Sequence, residues 1–214
     1  MGKSISAHEV LKNKYETLDV PGEWVDIIGL PERGFRMLIY GESGGGKTTF
    51  TMQLAKMLTM FGKTYYNSSE EGEGKSIQDA LKRARIDECP KGSFMLGDRD
   101  TFDEMVEKLS KKRSATTLVI DSLQYMSLTK AQYQHLVNLF PKKNIIIISW
   151  SAGKEPKGEH AKAIKYMVDV KCVVSDGLVV ASSRFGPTQP YRLFPSKKLQ
   201  KEKEPQAGDQ LTLV

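Results

Sequence analysis

Residues 35–58 constrain the fold of this chain more than any other stretch. A largely apolar run with strand character covers residues 35–40, and residues 50–58 place apolar side chains at helical spacing. Between them, residues 41–48 match the pattern G-x-x-x-x-G-K-[ST] in full. The motif requires a strand, a glycine-rich turn and a helix in this order, which a chance glycine-serine loop would not have. The segment therefore predicts a phosphate-binding loop.

This loop supplies the residues that we expect to bind a nucleotide and Mg²⁺. Glycines let backbone N–H groups turn toward a phosphate without Cβ clashes, and the amino end of the helix adds partial positive charge. Lys47 is expected to reach the β- and γ-phosphates, and Thr48 to place its hydroxyl on Mg²⁺. The predicted nucleotide-binding residues are Gly41, Glu42, Ser43, Gly44, Gly45, Gly46, Lys47, Thr48 and Thr49.

Carboxylates at strand ends are the next candidates. Asp121 ends an apolar run, where an aspartate would lie beside Thr48 and hold Mg²⁺, usually through water. A turn cap at the strand end is the alternative for Asp121. Glu70 follows another predicted strand and is the predicted catalytic group that orients or deprotonates an attacking water, with Glu71 in reserve. For both glutamates, a solvated acidic loop is the alternative.

Apolar strands alternate with helical patterns through the middle of the chain. Strands that are apolar throughout indicate a mostly parallel central sheet with helices on both faces, so the predicted fold class is α/β. Asp176-Gly177 lies between two further strand patterns and predicts a C-terminal β-hairpin. The predicted strands cover residues 64–68, 93–96, 117–121 and 144–149, and the predicted helices cover residues 76–85, 102–111 and 130–140.

Composition and charge narrow the class of protein. Charged residues make up 27% of the chain and hydrophobic ones 39%, as in an ordinary soluble protein, and the net charge of +6 suggests a polyanionic partner. No apolar run reaches membrane-spanning length and no signal peptide is recognisable. The two cysteines, Cys89 and Cys172, lie far apart and suit a reducing compartment. We therefore expect a cytoplasmic protein without a membrane partner.

Five motifs in order resemble those of the RecA-type ATPases. They are residues 41–48 (GESGGGKT), 66–71 (YNSSEE), 118–122 (LVIDS), 161–169 (AKAIKYMVD) and 183–188 (SRFGPT). The nearest resemblance is to the RadA/Sms branch and to the ATPase domain of DnaB-type replicative helicases. The compact format is similar to small phage and mobile-element recombination proteins.

The resemblance implies a fold, a function and a domain organisation. The fold is a RecA-like P-loop NTPase domain over residues 28–195, with an N-terminal helical arm over residues 1–27. A flexible tail is predicted for residues 196–214, where Lys, Glu, Pro, Gln and Gly dominate. The implied function is ATP hydrolysis with Mg²⁺ by a homo-oligomer, either ring or filament. The implied partner is single-stranded DNA, in recombination, repair or replication.

Site roles also follow from the resemblance. Glu70 matches the catalytic glutamate of the family, and Arg184 matches the arginine that reaches the γ-phosphate of the adjacent subunit. A plain surface charge is the alternative for Arg184. Two positions depart from the family pattern: Ser182 stands where the family often has a lysine, and Trp150 stands where RadA-like proteins have a polar sensor, commonly His.

A lysine-bearing segment between Trp150 and Tyr166 takes the place of the second DNA-binding loop of the family. We predict a mobile loop over residues 151–162, in which lysines neutralise phosphates without reading sequence. The candidate nucleic-acid-binding residues are Lys154, Lys157 and Lys162, and an ordinary solvated loop is the alternative. The first such loop would lie around residues 125–130.

The end of the chain and two other functions complete the predictions. Residues 210–214 resemble the peptide that binds the bacterial sliding clamp, with a plain disordered end as the alternative. A small P-loop phosphotransferase, such as a nucleotide kinase, would need an acceptor pocket and usually an arginine-rich lid. A non-catalytic replication accessory or loader protein would use ATP as a conformational switch.

Overall fold

Helices and strands alternate along the described chain. The structure, a computed structural model, describes residues 4–194. The α-helices are Ala7–Lys12 (α1), Gly22–Ile28 (α2), Lys47–Leu58 (α3), Lys75–Arg83 (α4), Phe102–Ser110 (α5), Lys130–Leu139 (α6) and Glu159–Lys165 (α7). The strands are Arg36–Gly41 (β1), Thr64–Ser68 (β2), Phe94–Asp98 (β3), Thr117–Asp121 (β4), Asn144–Ala152 (β5), Glu155–Pro156 (β6), Val170–Ser175 (β7), Leu178–Ser183 (β8) and Tyr191–Arg192 (β9). Single 3-10 turns cover Thr59–Phe61 and Ile86–Glu88.

The strands form one mostly parallel sheet. Its order is β3-β2-β4-β5-β1-β7-β8-β9, and β6 pairs with the end of β5. The pairs from β3 through β7 are parallel, whereas β8 and β9 are antiparallel. The β7-β8 pair is the predicted C-terminal hairpin, closed at Asp176-Gly177. The predicted α/β fold, with a mostly parallel sheet between helices, is confirmed.

The sheet separates two hydrophobic cores because successive strand residues face opposite ways. Along β1, Met37 and Ile39 join the core that contains α2 and α3. Leu38 and Tyr40 join the core that contains α5 and α6. All six residues of β1 are buried, as expected for a strand that is covered on both faces.

The second half of the predicted N-terminal arm packs on the domain. Helix α2 was not predicted as a separate helix, since the sequence indicated only a helical arm over residues 1–27. Pro21 is the N-cap residue of α2, a place that tolerates its missing N–H. Leu18, Val20 and Trp24 are buried in the same core as β1 and α3, whereas α1 buries no residue. The division of the chain at residue 28 stays a prediction, and the predicted tail lies outside the described residues.

Parallel pairing gives the sheet two different ends. At its carboxyl end, β1, β2, β4 and β5 finish side by side, and at its amino end the same strands begin. Strand β8 runs the other way, so the residues after it lie at the amino end. Within residues 4–194, no helix combines the length and the hydropathy that crossing a membrane requires.

Candidate functional site

The phosphate-binding loop connects β1 to α3 at the carboxyl end of the sheet. A Cβ at Gly41 would lie 1.9 Å from the carbonyl oxygen of Val174 on β7, so only glycine fits there. Gly46 precedes α3 with a φ of 107°, in a region that side chains rarely adopt. The first N–H groups of a helix have no partner inside the helix, and the helix dipole favours negative charge at that end. The loop therefore offers unpaired donors to a phosphate.

The C-terminal hairpin supports this loop from the side. The N–H of Gly177 donates to the carbonyl of Gly45 over 3.0 Å. The ring of Phe194 lies against both Gly46 and Gly177, where an added Cβ would meet it within 3.2 Å and 2.6 Å respectively. Sequence reasoning missed Phe194 because nothing local links it to a glycine almost 150 residues earlier.

One cavity of about 550 Å³ collects most of the predicted site residues, a volume within the usual range for ligand cavities. It brings the loop together with the turn after β2, the end of β4 and the end of β5. Glu42, Gly41 and Gly45 belong to the loop but do not line the cavity. The lining residues are Ser43, Gly44, Gly46, Lys47, Thr48, Thr49, Glu70, Glu71, Asp121, Ser122, Tyr125, Ile148, Trp150 and Phe194.

Lys47 lies inside this cavity and is held by the loop itself. Its Nζ donates to the carbonyl oxygen of Glu42 over 2.8 Å. Burial lowers the pKa of Lys47, while the nearby carboxylates of Asp121 and Glu70 oppose that change. The ammonium group thus lies in the loop that is expected to bind phosphates, close enough to these carboxylates to interact with them electrostatically.

Asp121 is buried at the end of β4 and depends on a partner that the sequence did not indicate. The hydroxyl of Tyr66 on the neighbouring strand β2 donates to its Oδ2 over 2.5 Å. Burial raises the pKa of Asp121 to about 6, the Tyr66 hydrogen bond opposes this, and Glu70 and Glu71 add to it. Such a carboxylate favours a cation near it, because a positive charge would compensate for the lost hydration.

Glu70 and Glu71 lie together in the turn that follows β2. The N–H groups of Ser69 and Glu70 donate to the carbonyl oxygen of Asp121 over 2.7 and 3.1 Å, which fixes this turn beside the end of β4. Both glutamates line the cavity. The geometry thus admits either as the group that orients water, and the choice of Glu70 stays a prediction.

The lysine segment after Trp150 differs from its prediction. Instead of a mobile loop, residues 151–156 form a hairpin of β5 and β6, and α7 starts at Glu159. Gln124 explains this order: its side-chain NH₂ donates to Ser149 Oγ and to the Lys157 carbonyl, and its side-chain oxygen accepts from the Trp150 N–H. The prediction of a loop over residues 151–162 was wrong because this tether was not visible in the sequence.

The three candidate nucleic-acid-binding lysines lie in three different surroundings. Lys157 holds its Nζ 5.2 Å from the centre of the Trp150 ring. The Trp150 ring in turn meets Tyr125 edge to face at 5.5 Å, and both rings line the cavity. Lys154 lies at the exposed hairpin turn and Lys162 on the exposed side of α7, and neither lines the cavity.

Comparisons with known proteins agree with this geometry. A family model described as the AAA domain matches residues 33–149, more than half of the chain. The chain belongs to the AAA domain family. Membership supports ATP binding and hydrolysis in general and places the chain among the P-loop ATPases, the coarser part of the RecA resemblance. A specific relationship to RecA or RadA stays a prediction.

Solved structures share the fold of this AAA domain. The flagellar accessory protein FlaH from Methanocaldococcus jannaschii superposes with a TM-score of 0.58. The match covers 86% of this chain and 96% of the FlaH chain at 16% sequence identity, a likeness that shows the fold alone. A search of the curated proteins finds no match.

Arg184 lies apart from the nucleotide cavity of its own AAA domain. It follows β8 at the amino end of the sheet, whereas the phosphate-binding loop is at the carboxyl end. Its side chain is 67% exposed and its Nη1 is 3.5 Å from Asp169 Oδ1. The structure therefore does not bring Arg184 to Lys47 within one chain. Its expected role toward an adjacent subunit stays a prediction.

The residues of this AAA domain fit Mg²⁺ bound together with a nucleotide. Among residues 4–194, no group of three or more His, Cys, Asp and Glu residues is arranged to hold a metal alone. Mg²⁺ in phosphate-binding sites takes one or two protein ligands and completes its shell with phosphates and water. Thr48 and the buried Asp121 carboxylate both line the cavity and suit that sparse role. When bound, the ion would neutralise charge on the phosphates.

Proposed function

We propose that this AAA domain hydrolyses ATP as a homo-oligomer and acts on single-stranded DNA in recombination, repair or replication. The observation that carries the ATPase part is the single cavity that collects Lys47, Thr48, Asp121 and the Glu70-Glu71 pair. Lys47 binds the β- and γ-phosphates, Thr48 and Asp121 serve Mg²⁺, and Glu70 orients the attacking water.

The aromatic pair beside this cavity supports a nucleic-acid partner. Tyr125 is 51% exposed and its ring contacts Trp150, which also has the Lys157 Nζ over its ring. Lys154 lies at the turn of the hairpin that follows Trp150. Exposed aromatic rings stack on bases of any sequence, and lysines neutralise the phosphates between them. Tyr125 and Trp150 also line the nucleotide cavity. The affinity for a DNA strand bound to these rings would therefore depend on whether the cavity holds a nucleotide.

The position of Arg184 supports assembly of several copies. At the amino end of the sheet it cannot complete its own site, but an arginine of a neighbouring molecule stabilises charge in the transition state in other P-loop ATPases. In our proposal Arg184 serves the next protomer of a ring or filament. The clamp-binding role of residues 210–214 is a further part of the proposal and rests on the sequence alone.

Turnover and DNA binding test the proposal together. Phosphate release from ATP with Mg²⁺ is measured with and without an oligo-dT strand, and strand binding is followed by fluorescence anisotropy at rising salt. We expect stimulated turnover and salt-sensitive binding. Replacing Lys154, Lys157 and Lys162 by Ala should weaken binding, whereas replacing Lys12, Lys14 and Lys82 by Ala should not. Unchanged turnover together with salt-insensitive or absent binding would refute the DNA role.

Oligomerisation is tested separately. Light scattering of the protein with a magnesium–ATP analogue and the oligonucleotide should show a particle larger than the protein alone. Arg184→Ala should lower turnover while nucleotide affinity stays unchanged, because the side chain acts on a neighbour in the transition state. A protein that stays monomeric under all conditions would refute the proposed role of Arg184 in the site of a neighbouring protomer.

A phosphotransferase is disfavoured by the cavity lining. Among the described residues that line it there is no arginine, whereas a nucleotide kinase needs cationic groups around its second phosphate substrate. A screen of nucleoside and nucleotide acceptors decides the matter. Phosphate transferred to an acceptor instead of water would favour the kinase.

A switch without substantial turnover is the second candidate, because Trp150 stands in place of a polar sensor beside the cavity. FlaH, which shares the fold, is itself described as an accessory protein. In a switch, Glu70→Gln would leave partner binding intact while abolishing the remaining turnover. Substantial turnover of the wild type that DNA stimulates and that Glu70→Gln removes would favour the hydrolysing machine instead.

A further inference from the structure

A second cavity lies away from the nucleotide site, between α5 and the strands β2 and β3. Its volume is about 320 Å³, at the lower end of the range for ligand cavities. Strand β3 is the outermost strand of the sheet, and within residues 4–194 no strand pairs with its outer side. The lining residues are Lys63, Tyr65, Met95, Leu96, Lys108, Leu109, Lys111, Lys112, Arg113, Ser114 and Ala115. We call this site the basic cavity.

The rim of the basic cavity is strongly cationic. Its lining includes Lys and Arg side chains from α5, from the loop after α5 and from the residue before β2, and no Asp or Glu. Lys108 pairs with Asp100, and Lys111 pairs with Glu107 over 3.0 Å in an exposed i,i+4 pair. Among the described residues, Lys63, Lys112 and Arg113 form no ion pair with a carboxylate. The rim therefore carries positive charge that the described part of the chain does not neutralise, which attracts an anionic partner.

The floor of the basic cavity is apolar. Leu109 and Ala115 are buried beneath it, and Met95 on β3 is 50% exposed at its edge. Methionine adapts its shape to different partners and is frequent on surfaces that bind varied peptides. A ligand that fits must therefore combine negative charge with an apolar side chain that fills the centre.

The chemistry of the floor favours a polypeptide over a nucleic acid. Single strands bind through exposed aromatic rings on which bases stack. The one aromatic residue of this lining, Tyr65, is 6% exposed, donates its hydroxyl to Asp100 and has Lys108 over its ring at 5.7 Å. Tyr65 is thus too buried to offer a base a stacking surface, whereas aliphatic side chains of a peptide would pack on Met95 and Leu109.

We propose that the basic cavity binds an acidic segment of a partner protein. An apolar side chain of that segment occupies the cavity, and its carboxylates pair with Lys63, Lys112 and Arg113. The site is separate from the nucleotide cavity, since Lys63 precedes β2 and Lys112 precedes β4 at the amino end of the sheet. It supplies a docking surface that ATP does not occupy.

A peptide-display selection tests this directly. The full chain is the bait for a random peptide display library, and the most enriched peptide is then synthesised with a fluorescent label for anisotropy. We expect enriched peptides to combine Asp or Glu with Leu, Ile or Phe. The double variant Lys63→Glu with Lys112→Glu should bind the labelled peptide about tenfold more weakly, because two attractive charge interactions become repulsive. Met95→Ser should weaken it severalfold through the lost apolar contact.

Matched controls separate this site from general charge effects. Lys91→Glu with Lys142→Glu changes the charge equally at the same end of the sheet but outside the cavity, and should leave peptide binding unchanged. Circular dichroism confirms that each variant is folded. Enrichment without acidic and apolar residues, or equal loss of binding in both pairs of variants, would overturn the proposal. If oligo-dT binding is weakened in the Lys63-Lys112 variant and not in the Lys91-Lys142 variant, the ligand of the basic cavity is a nucleic acid and not a peptide.

Discussion

The two ends of the sheet differ in charge and in what their charges do. At the carboxyl end, acidic residues are in the majority: Glu42, Glu70, Glu71, Glu73, Asp98, Asp100 and Asp121 lie within or just after β1 to β4, against the cations Lys47 and Arg99. At the amino end, the loops that enter the same four strands carry Arg33, Lys63, Lys91, Lys111, Lys112 and Arg113, with Glu32 as their carboxylate. The positive excess is therefore largest where the nucleotide is not expected.

This contrast teaches that net charge does not locate an anion site. In our proposal, the phosphate site works through backbone N–H groups, one lysine and a metal ion, so carboxylates beside it would assist phosphate binding by holding the ion. The excess of +6 was interpreted as a sign of a polyanionic partner. Lys154, Lys157 and Lys162 account for part of that charge, while the amino end carries more of it and forms the basic cavity.

The largest expected effect concerns the two glutamates of the carboxyl end. Glu70→Gln should lower ATP turnover by about 10² to 10⁴, the usual contribution of a general base, and leave nucleotide affinity nearly unchanged. Glu71→Gln is the matched control in the same turn and should lower turnover far less. Steady-state phosphate release and nucleotide binding measure both. If Glu71→Gln produces the larger loss, the roles are exchanged.

The next effect tests the buried acid of the carboxyl end by pH. The pKa of Asp121 is raised from 3.8 to about 6 in the folded chain, so its stabilising protonated form is lost as the pH rises through about 6. Without nucleotide and Mg²⁺, the free energy of unfolding should fall by about 3 kcal/mol in total as the pH rises from about 3 to about 7. Asp121→Asn should be free of this decrease. The free energies of unfolding are measured by urea denaturation at each pH. The same pH dependence in both proteins would contradict a raised pKa of Asp121.

A smaller effect tests the tight packing of the phosphate-binding loop. Gly41→Ala places a Cβ 1.9 Å from the Val174 carbonyl oxygen, and the resulting backbone shift should lower the free energy of unfolding by about 2 kcal/mol. Gly22→Ala is the control, since no atom lies within 4 Å of its added Cβ. Urea denaturation measures both. Equal stability of the two variants would show that the loop is less tightly enclosed by β7 than described.

The smallest effect is expected at the amino end. Lys63→Glu with Lys112→Glu should leave basal ATP turnover unchanged, because these exposed side chains lie at the opposite end of the sheet and salt screens charges beyond about 8 Å. Phosphate release in the absence of any partner is the measurement. A clear loss of turnover would show that the two ends are coupled.

Sequence reasoning found what is encoded locally. The loop of residues 41–48, the strand that ends at Asp121 and the Asp176-Gly177 hairpin each depend on neighbouring residues, and the structure contains all three. The strand over residues 117–121 was predicted with the observed bounds because its apolar run is uninterrupted. Local patterns were sufficient for the fold and for the centre of the site.

Contacts between distant residues could not be predicted in this way. The Tyr66-Asp121 hydrogen bond joins residues 55 apart, and it requires knowing that β2 lies next to β4. Phe194 reaches the loop only through the hairpin. Gln124 fixes the segment after Trp150 by three hydrogen bonds across two strand ends, which turned an expected loop into a hairpin and a helix.

Nucleotide affinity with and without the Lys47 side chain tests the central claim most directly. Titration calorimetry with a magnesium–ATP analogue compares the wild type with Lys47→Ala and with Lys56→Ala, a control further along the same helix. We predict that Lys47→Ala weakens binding by at least about tenfold, since a charge-assisted contact to phosphate is lost, while Lys56→Ala binds normally. Equal affinity of all three proteins would contradict the assignment of this cavity as the nucleotide site.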